Sequence, residues 1–129
     1  MSPVSVEPPT LLLVDDDDAL RSALSFALEL DGYRVQAYPS GEDLLKAKLP
    51  DRNACLVLDE NLPGISGLEC LSILRSRAVR IPAFLITSHP GPALRHRADR
   101  MGVPIIEKPL LDDILVRSIR SALGQVPTP

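Results

Sequence analysis

Five short apolar runs, each followed by a helical stretch, predict an α/β domain of three layers built on a parallel sheet. Regular strand–helix alternation implies parallel strands joined by right-handed crossovers, with helices on both faces. Runs such as Thr10 to Val14 and Ala54 to Leu58 are continuous rather than alternating, as strands buried on both faces are. Several of them end abruptly in a charged or hydroxyl residue. In open sheets of this kind, ligands sit beyond the carboxyl ends of the strands.

The elements follow in order. Thr10-Leu-Leu-Leu-Val14 is the first strand and runs straight into acid. Asp17 or Asp18 can cap the next helix, in which Leu20, Ala23, Leu24, Ala27 and Leu28 share a stripe. Asp31-Gly32 stops it. Tyr33 to Ala37 is a second strand, and Ser40-Gly41 opens a helix running to about Leu49. Pro50 to Asn53 is a polar loop. Ala54 to Leu58 is the third strand and ends at Asp59. After the turn Leu62-Pro63-Gly64, Leu68, Leu71 and Leu74 mark a third helix. Ala83 to Ile86 is the fourth strand, ending at Thr87, and Ser88 to Pro92 forms a loop. A basic helix follows with Arg95, Arg97 and Arg100, ended by Gly102. Val103 to Ile106 is the fifth strand, leading into Glu107-Lys108-Pro109. Leu111, Ile114, Leu115, Ile119, Ala122 and Leu123 give the last amphipathic helix.

Composition narrows the function classes. A chain of 129 residues, 45% of them hydrophobic, suits one domain with one real core. A net charge of -3 offers no basic field for nucleic acid, and 3% aromatic residues offer few stacking platforms. The basic residues Arg95, Arg97 and Arg100 read as a solvated helix face, with a protein-docking role as the alternative. Cys55 and Cys70 form no CxxC pair and read as buried reduced thiols, in keeping with a cytoplasmic location. The first nine residues have no basic start and apolar centre, and no apolar run approaches the roughly 18 residues of a membrane span. The 13 prolines gather at the two ends and in loops, so residues 1–9 and 124–129 read as tails or linkers around a domain over residues 10–123.

The strand ends carry the chemistry. The first delivers Asp15 and Asp16, the third Asp59, the fourth Thr87 and the fifth Lys108. Three carboxylates at one sheet edge repel one another and call for a cation. Hard oxygen ligands suit Mg²⁺, which keeps several waters and needs few protein oxygens. Asn61 can add its backbone carbonyl. A carboxylate can act as a nucleophile and form an acyl phosphate. Phosphoryl transfer mainly requires alignment and neutralised oxygens, which Mg²⁺, the Lys108 ammonium and the Thr87 hydroxyl would supply. Each residue alone has a plainer reading. Asp15 to Asp18 can be a solvated acidic cap, Thr87 an ordinary strand-end residue and Lys108-Pro109 a simple turn. Their coincidence at matching strand ends favours a site.

The segments Leu13-Val-Asp-Asp-Asp17, Val57-Leu-Asp59, Asn61-Leu-Pro-Gly64, Ser66-Gly-Leu-Glu69, Ile86-Thr87 and Glu107-Lys-Pro109 resemble the response-regulator receiver family, over roughly Thr10 to Leu123. The resemblance implies a doubly wound, flavodoxin-like sheet with strand order 2-1-3-4-5. It implies phosphorylation of Asp59 by a phosphohistidine on a sensor histidine kinase or phosphotransfer protein. It implies Mg²⁺ held by Asp15, Asp16, Asp59 and the Asn61 carbonyl, with Thr87 and Lys108 acting on the phosphoryl group. It further implies a cis peptide between Lys108 and Pro109, and homodimers through the face of the fourth helix, fifth strand and fifth helix. Within the family, Ser66-Gly67 and Glu107-Lys108-Pro109 look most like regulators with a helix-turn-helix output. Such a domain would promote only its own phosphorylation and dephosphorylation, and would touch neither nucleic acid nor membrane directly.

Three positions depart from the family pattern. Ile105 stands where Tyr or Phe is usual, Leu110 where Phe is frequent, and the Ser88-to-Pro92 loop is rich in proline. Ile105 raises the alternative of an interaction or dimerisation module that works without phosphate. A third reading, a phosphoaspartate hydrolase of the haloacid-dehalogenase type, wants a second Asp two residues after the nucleophile, and Asn61 stands there. His89, two residues after Thr87, is either an exposed loop residue or, with Asn61, tunes the water that hydrolyses the phosphoaspartate.

Overall fold

The computed structural model describes residues 7–108 and 114–124. Strands β1 (Thr10–Val14), β2 (Arg34–Tyr38), β3 (Ala54–Asp59), β4 (Ala83–Thr87) and β5 (Ile105–Glu107) alternate with helices α1 (Asp18–Leu30), α2 (Gly41–Lys46), α3 (Gly67–Ser76), α4 (Pro92–Arg100) and α5 (Ile114–Ala122). The strands form one sheet in the order β2-β1-β3-β4-β5, with every neighbouring pair parallel. The order and the doubly wound class are those expected from the sequence.

Burial explains why the apolar runs are continuous. Leu11 to Val14 of β1 and all of β3 and β4 are buried, because helices cover both faces of the central strands. The edge strand β2 is largely exposed. Alternate side chains feed two core layers. Leu12, Val14, Leu56, Leu58 and Leu85 pack with Leu44 of α2, Leu68, Leu71 and Leu74 of α3, and Ala98 of α4. Leu11, Leu13, Cys55, Val57, Phe84, Ile86 and Ile106 pack on the other face with Leu28 of α1 and Leu115 and Ile119 of α5. Each fully buried Leu or Ile contributes about 1.5–3 kcal/mol by leaving water.

Helix starts follow local chemistry. Asp17 caps α1 by accepting from Leu20 N, Ser40 caps α2 by accepting from Asp43 N, and Ser66 caps α3 by accepting from Glu69 N. Pro92 is the first residue of α4, where its missing N–H costs nothing, so the expected Ser88–Pro92 loop ends one residue sooner.

Some boundaries and faces differ from the sequence reading. β2 starts at Arg34, because Tyr33 N still closes the end of α1 by donating to Leu28 O. α2 stops at Lys46 rather than near Leu49. Ala47 is already extended at ψ 153°, on the approach to Leu49-Pro50, whose proline disfavours helix at the residue before it. β5 begins at Ile105 rather than Val103, since Pro104 has no N–H to donate to the ladder. On α1 Leu28 is buried and Leu20 and Leu24 are partly buried, while Ala23 and Ala27 are exposed beside Phe26 and Leu30. Small alanines add little to a stripe, so one four-residue ridge carries the docking. Leu110, Leu111 and the Lys108–Pro109 peptide lie outside the described residues. Among the described residues no helix is long and apolar enough to cross a membrane.

Candidate functional site

Sheet register assembles the site. Val14 pairs with Leu58, so Asp15 leaves β1 level with Asp59 at the end of β3. Asp59 pairs with Ile86, and Thr87, one residue on, pairs with Glu107. Lys108 then follows, its backbone N–H donating to Thr87 O at 2.9 Å. Four strand ends thus converge at one edge.

Among the described residues Asp15, Asp59 and Thr87 are the buried polar side chains, 1–3% exposed. Asp15, Asp16 and Asp59 each place a carboxylate oxygen within 4.8 Å of the others. Asp16 is exposed, so the cluster opens to solvent on that side. Lys108 Nζ donates to Asp59 Oδ2 at 3.1 Å and lies 3.9 Å from Asp15 Oδ2. The second Asp59 oxygen accepts from Asn61 N at 3.0 Å, and Asn61 Nδ2 donates to Thr87 Oγ1 at 3.3 Å.

Three carboxylates thus face one ammonium. Burial raises the pKa of Asp15, the charges of Asp59 and Asp16 raise it further, and the Asp17 backbone N–H and Lys108 oppose them. A compact cluster of hard oxygens with unbalanced negative charge fits a divalent Mg²⁺ ion.

The structure brings together all the site residues expected from the sequence: Asp15, Asp16, Asp59, Asn61, Thr87 and Lys108. His89 is exposed in the loop after Thr87. Arg95, Arg97 and Arg100 are exposed on α4, where Arg95 pairs with Glu107 at 2.7 Å. Ile105 is partly buried and packs against the core on the α2–α3–α4 side.

Arg21 and Glu60, not singled out from the sequence, and Gly67, quoted there only as part of a motif, support the site from behind. Arg21 Nη1 donates to Asp15 O at 2.7 Å, which pins the turn after β1. Glu60 Oε1 accepts from Leu68 N at 2.8 Å, tying the residue after Asp59 to the start of α3. Burial raises the pKa of Glu60, while that N–H and the positive charge of Arg97 lower it. Gly67 sits so close to β3 that a Cβ there would lie 2.4 Å from Asp59 O. Of the two not singled out, Arg21 had a signal in the spacing, three residues after Asp18 on the same helix side.

A fold of this topology with an acidic, lysine-facing edge defines a class, the receiver modules. Residues 11–120 match the model of the response regulator receiver domain, and the chain belongs to that family. It is 36% identical over 114 residues to the transcriptional regulatory protein FixJ of Azorhizobium caulinodans, covering 88% of this chain and 54% of that protein. It is 38% identical over 114 residues to the C4-dicarboxylate transport transcriptional regulatory protein DctD of Pseudomonas aeruginosa, covering 88% of this chain and 25% of that protein. The chain therefore spans about half the length of the FixJ relative, and a quarter of DctD. The crystal structure of FixJ-N superposes with a TM-score of 0.81 at 32% identity, over 96% of this chain and 100% of that one. Receiver domains are signalling modules of two-component systems, phosphorylated by histidine kinases or phosphotransfer proteins.

Proposed function

We propose that this chain takes a phosphoryl group on Asp59 from a phosphohistidine, in a Mg²⁺-dependent reaction, and thereby switches a protein-binding surface. One observation carries the reading. Asp59 is 3% exposed yet sits at the sheet edge, with Lys108 Nζ at 3.1 Å and the Asp15–Asp16 pair beside it.

The residues divide the work. An Asp59 carboxylate oxygen forms a bond to phosphorus as the phosphorus–nitrogen bond to the donor imidazole breaks, and the imidazole leaves with that electron pair. Asp15, Asp16, Asp59 and the Asn61 carbonyl are the groups to hold Mg²⁺. When bound, the ion neutralises the phosphoryl oxygens. Lys108 turns from the carboxylate to a phosphoryl oxygen. The Thr87 hydroxyl, now accepting from Asn61, donates to another. Drawing Thr87 and Lys108 inward pulls on the ends of β4 and β5, and this biases the face of α4, β5 and α5 toward a second arrangement. That face is the expected homodimer surface. The domain spans residues 10–123, works in the cytoplasm and modifies only itself.

The test is acetyl phosphate with Mg²⁺, followed by intact-mass measurement. Wild type gains one phosphoryl group, and Asp59→Asn gains none. No gain on wild type, or an equal gain on the variant, defeats the proposal. Partly buried Ile105 at the usual aromatic position favours one further comparison. If dimerisation is the same with and without phosphate, the module works independently of it.

A further inference from the structure

The loop between β3 and α3 starts at the nucleophile, so slack in it reaches the site directly. Its inner limb closes on Glu60, whose carbonyl accepts from Leu62 N at 3.1 Å and Gly67 N at 3.3 Å. Those bonds leave the outer limb, Pro63 to Ile65, to be held from elsewhere. The hold comes from α2. Glu42 Oε2 accepts from Ile65 N at 3.2 Å, across 23 residues of sequence.

Two glycines make this approach close. Gly64 has φ +80°, and a Cβ on it would lie 2.2 Å from the same Glu42 oxygen. A Cβ on Gly41, the residue before Glu42, would lie 2.9 Å from Ile65 Cγ1 and 3.2 Å from Cys70 Cβ. At each glycine, therefore, a side chain of the other segment lies against bare backbone: Glu42 of α2 on Gly64, and Ile65 of the loop on Gly41. The Cys70 thiol adds a contact by donating to Gly41 O at 3.7 Å.

We infer that Glu42 is a positioning residue of the phosphoacceptor site, holding from α2 the loop that presents Asn61 to Asp59 and to the metal. The inference rests on the reading of the site given above. Glu42 touches no reacting atom. It acts through the Ile65 N–H, and the fixed loop in turn keeps Asn61 N on Asp59 Oδ1 at 3.0 Å.

The experiment is a Mg²⁺ titration of the whole chain followed by amide chemical shifts, with amide exchange of Ile65 and Asn61 measured in metal-free protein. Glu42→Ala should bind Mg²⁺ about fivefold more weakly than wild type, the scale of one charge-assisted hydrogen bond at an exposed position. Its Ile65 amide should exchange faster. Glu42→Gln keeps an acceptor oxygen and should stay within about twofold of wild type. Gly64→Ala keeps the charge but displaces the carboxylate, and should match Glu42→Ala. Wild-type affinity in Glu42→Ala overturns the inference. So does equal weakening in Glu42→Gln, which would assign the effect to charge rather than to the bond. If wild type itself shows no Mg²⁺-dependent shift, the reading of the site falls and this inference with it. A failure confined to the Glu42 variants leaves that reading standing.

Discussion

Replacing Asp15 with Asn should stabilise the metal-free protein, although Asp15 is among its most buried residues. The three carboxylates place oxygens within 4.8 Å of one another, and at that outer limit, at an effective dielectric of about 20, two unit charges repel by about 3.5 kcal/mol. Asp15 has two such neighbours, buried Asp59 and exposed Asp16, the second screened by solvent to about half that figure, about 1.7 kcal/mol. Lys108 Nζ, 3.9 Å away, offsets about 4 kcal/mol. The balance is at least about 1 kcal/mol of net repulsion, and burial of the carboxylate adds to it. The amide that replaces the carboxylate keeps an oxygen to accept from Asp17 N, a bond of 2.9 Å in the wild type. Asp15→Asn should therefore gain about 1–2 kcal/mol, or about 4–7 °C in Tm for a domain of this length. The pKa of Asp15 is raised by folding, so its ionisation opposes folding. The gap between variant and wild type is full above that raised pKa and closes as pH falls through it toward the ordinary 3.8. The chain has no Trp, so thermal unfolding is followed by far-ultraviolet circular dichroism, in EDTA and in millimolar Mg²⁺. Mg²⁺ should raise the Tm of wild type and do much less for the variant. A variant less stable than wild type in EDTA, or a Mg²⁺ shift as large as that of wild type, refutes the reasoning.

Three further outcomes are expected. Gly67→Ala should lose about 3 kcal/mol in urea unfolding, because its Cβ would stand 2.4 Å from Asp59 O and 2.9 Å from Leu85 Cδ1; an unchanged midpoint would show that β3 and α3 can part freely. Leu58→Ala should lose about 3 kcal/mol and Leu30→Ala less than about 0.5 kcal/mol, since Leu58 is 0% and Leu30 73% exposed; equal losses in the same assay would contradict this burial pattern. Burial pushes the Cys55 thiol up to about 12, and burial with the charge of Glu42 pushes Cys70 up to about 11. Neither should react with a thiol reagent at neutral pH until denaturant is added, and prompt labelling of native protein would show that one is accessible.

The elements most legible in the sequence were those whose signal is local. The β1, β3 and β4 runs are buried on both faces, so every residue had to be apolar and the run announced itself. Asp15, Asp59 and Thr87 were legible because each ends such a run, Lys108 because it follows the apolar stretch through Ile106, and the topology of a parallel sheet collects those ends. Less legible were β5, shortened by Pro104, and the buried face of α1, where Ala23 and Ala27 matched the period but turned out exposed.

The amino-acid order alone determined the α/β class and the residues that end each strand, since hydrophobic period and strand-end chemistry are properties of neighbouring residues; the order 2-1-3-4-5 was what the family resemblance implied. Only the folded chain decided the supporting contacts. Glu42 reaches Ile65 across 23 positions, and Glu60 caps Leu68 across eight. Such bonds depend on how closely the β3–α3 loop approaches the first turns of α2 and α3, a distance of a few ångströms that glycines at 41, 64 and 67 permit and that no local pattern encodes.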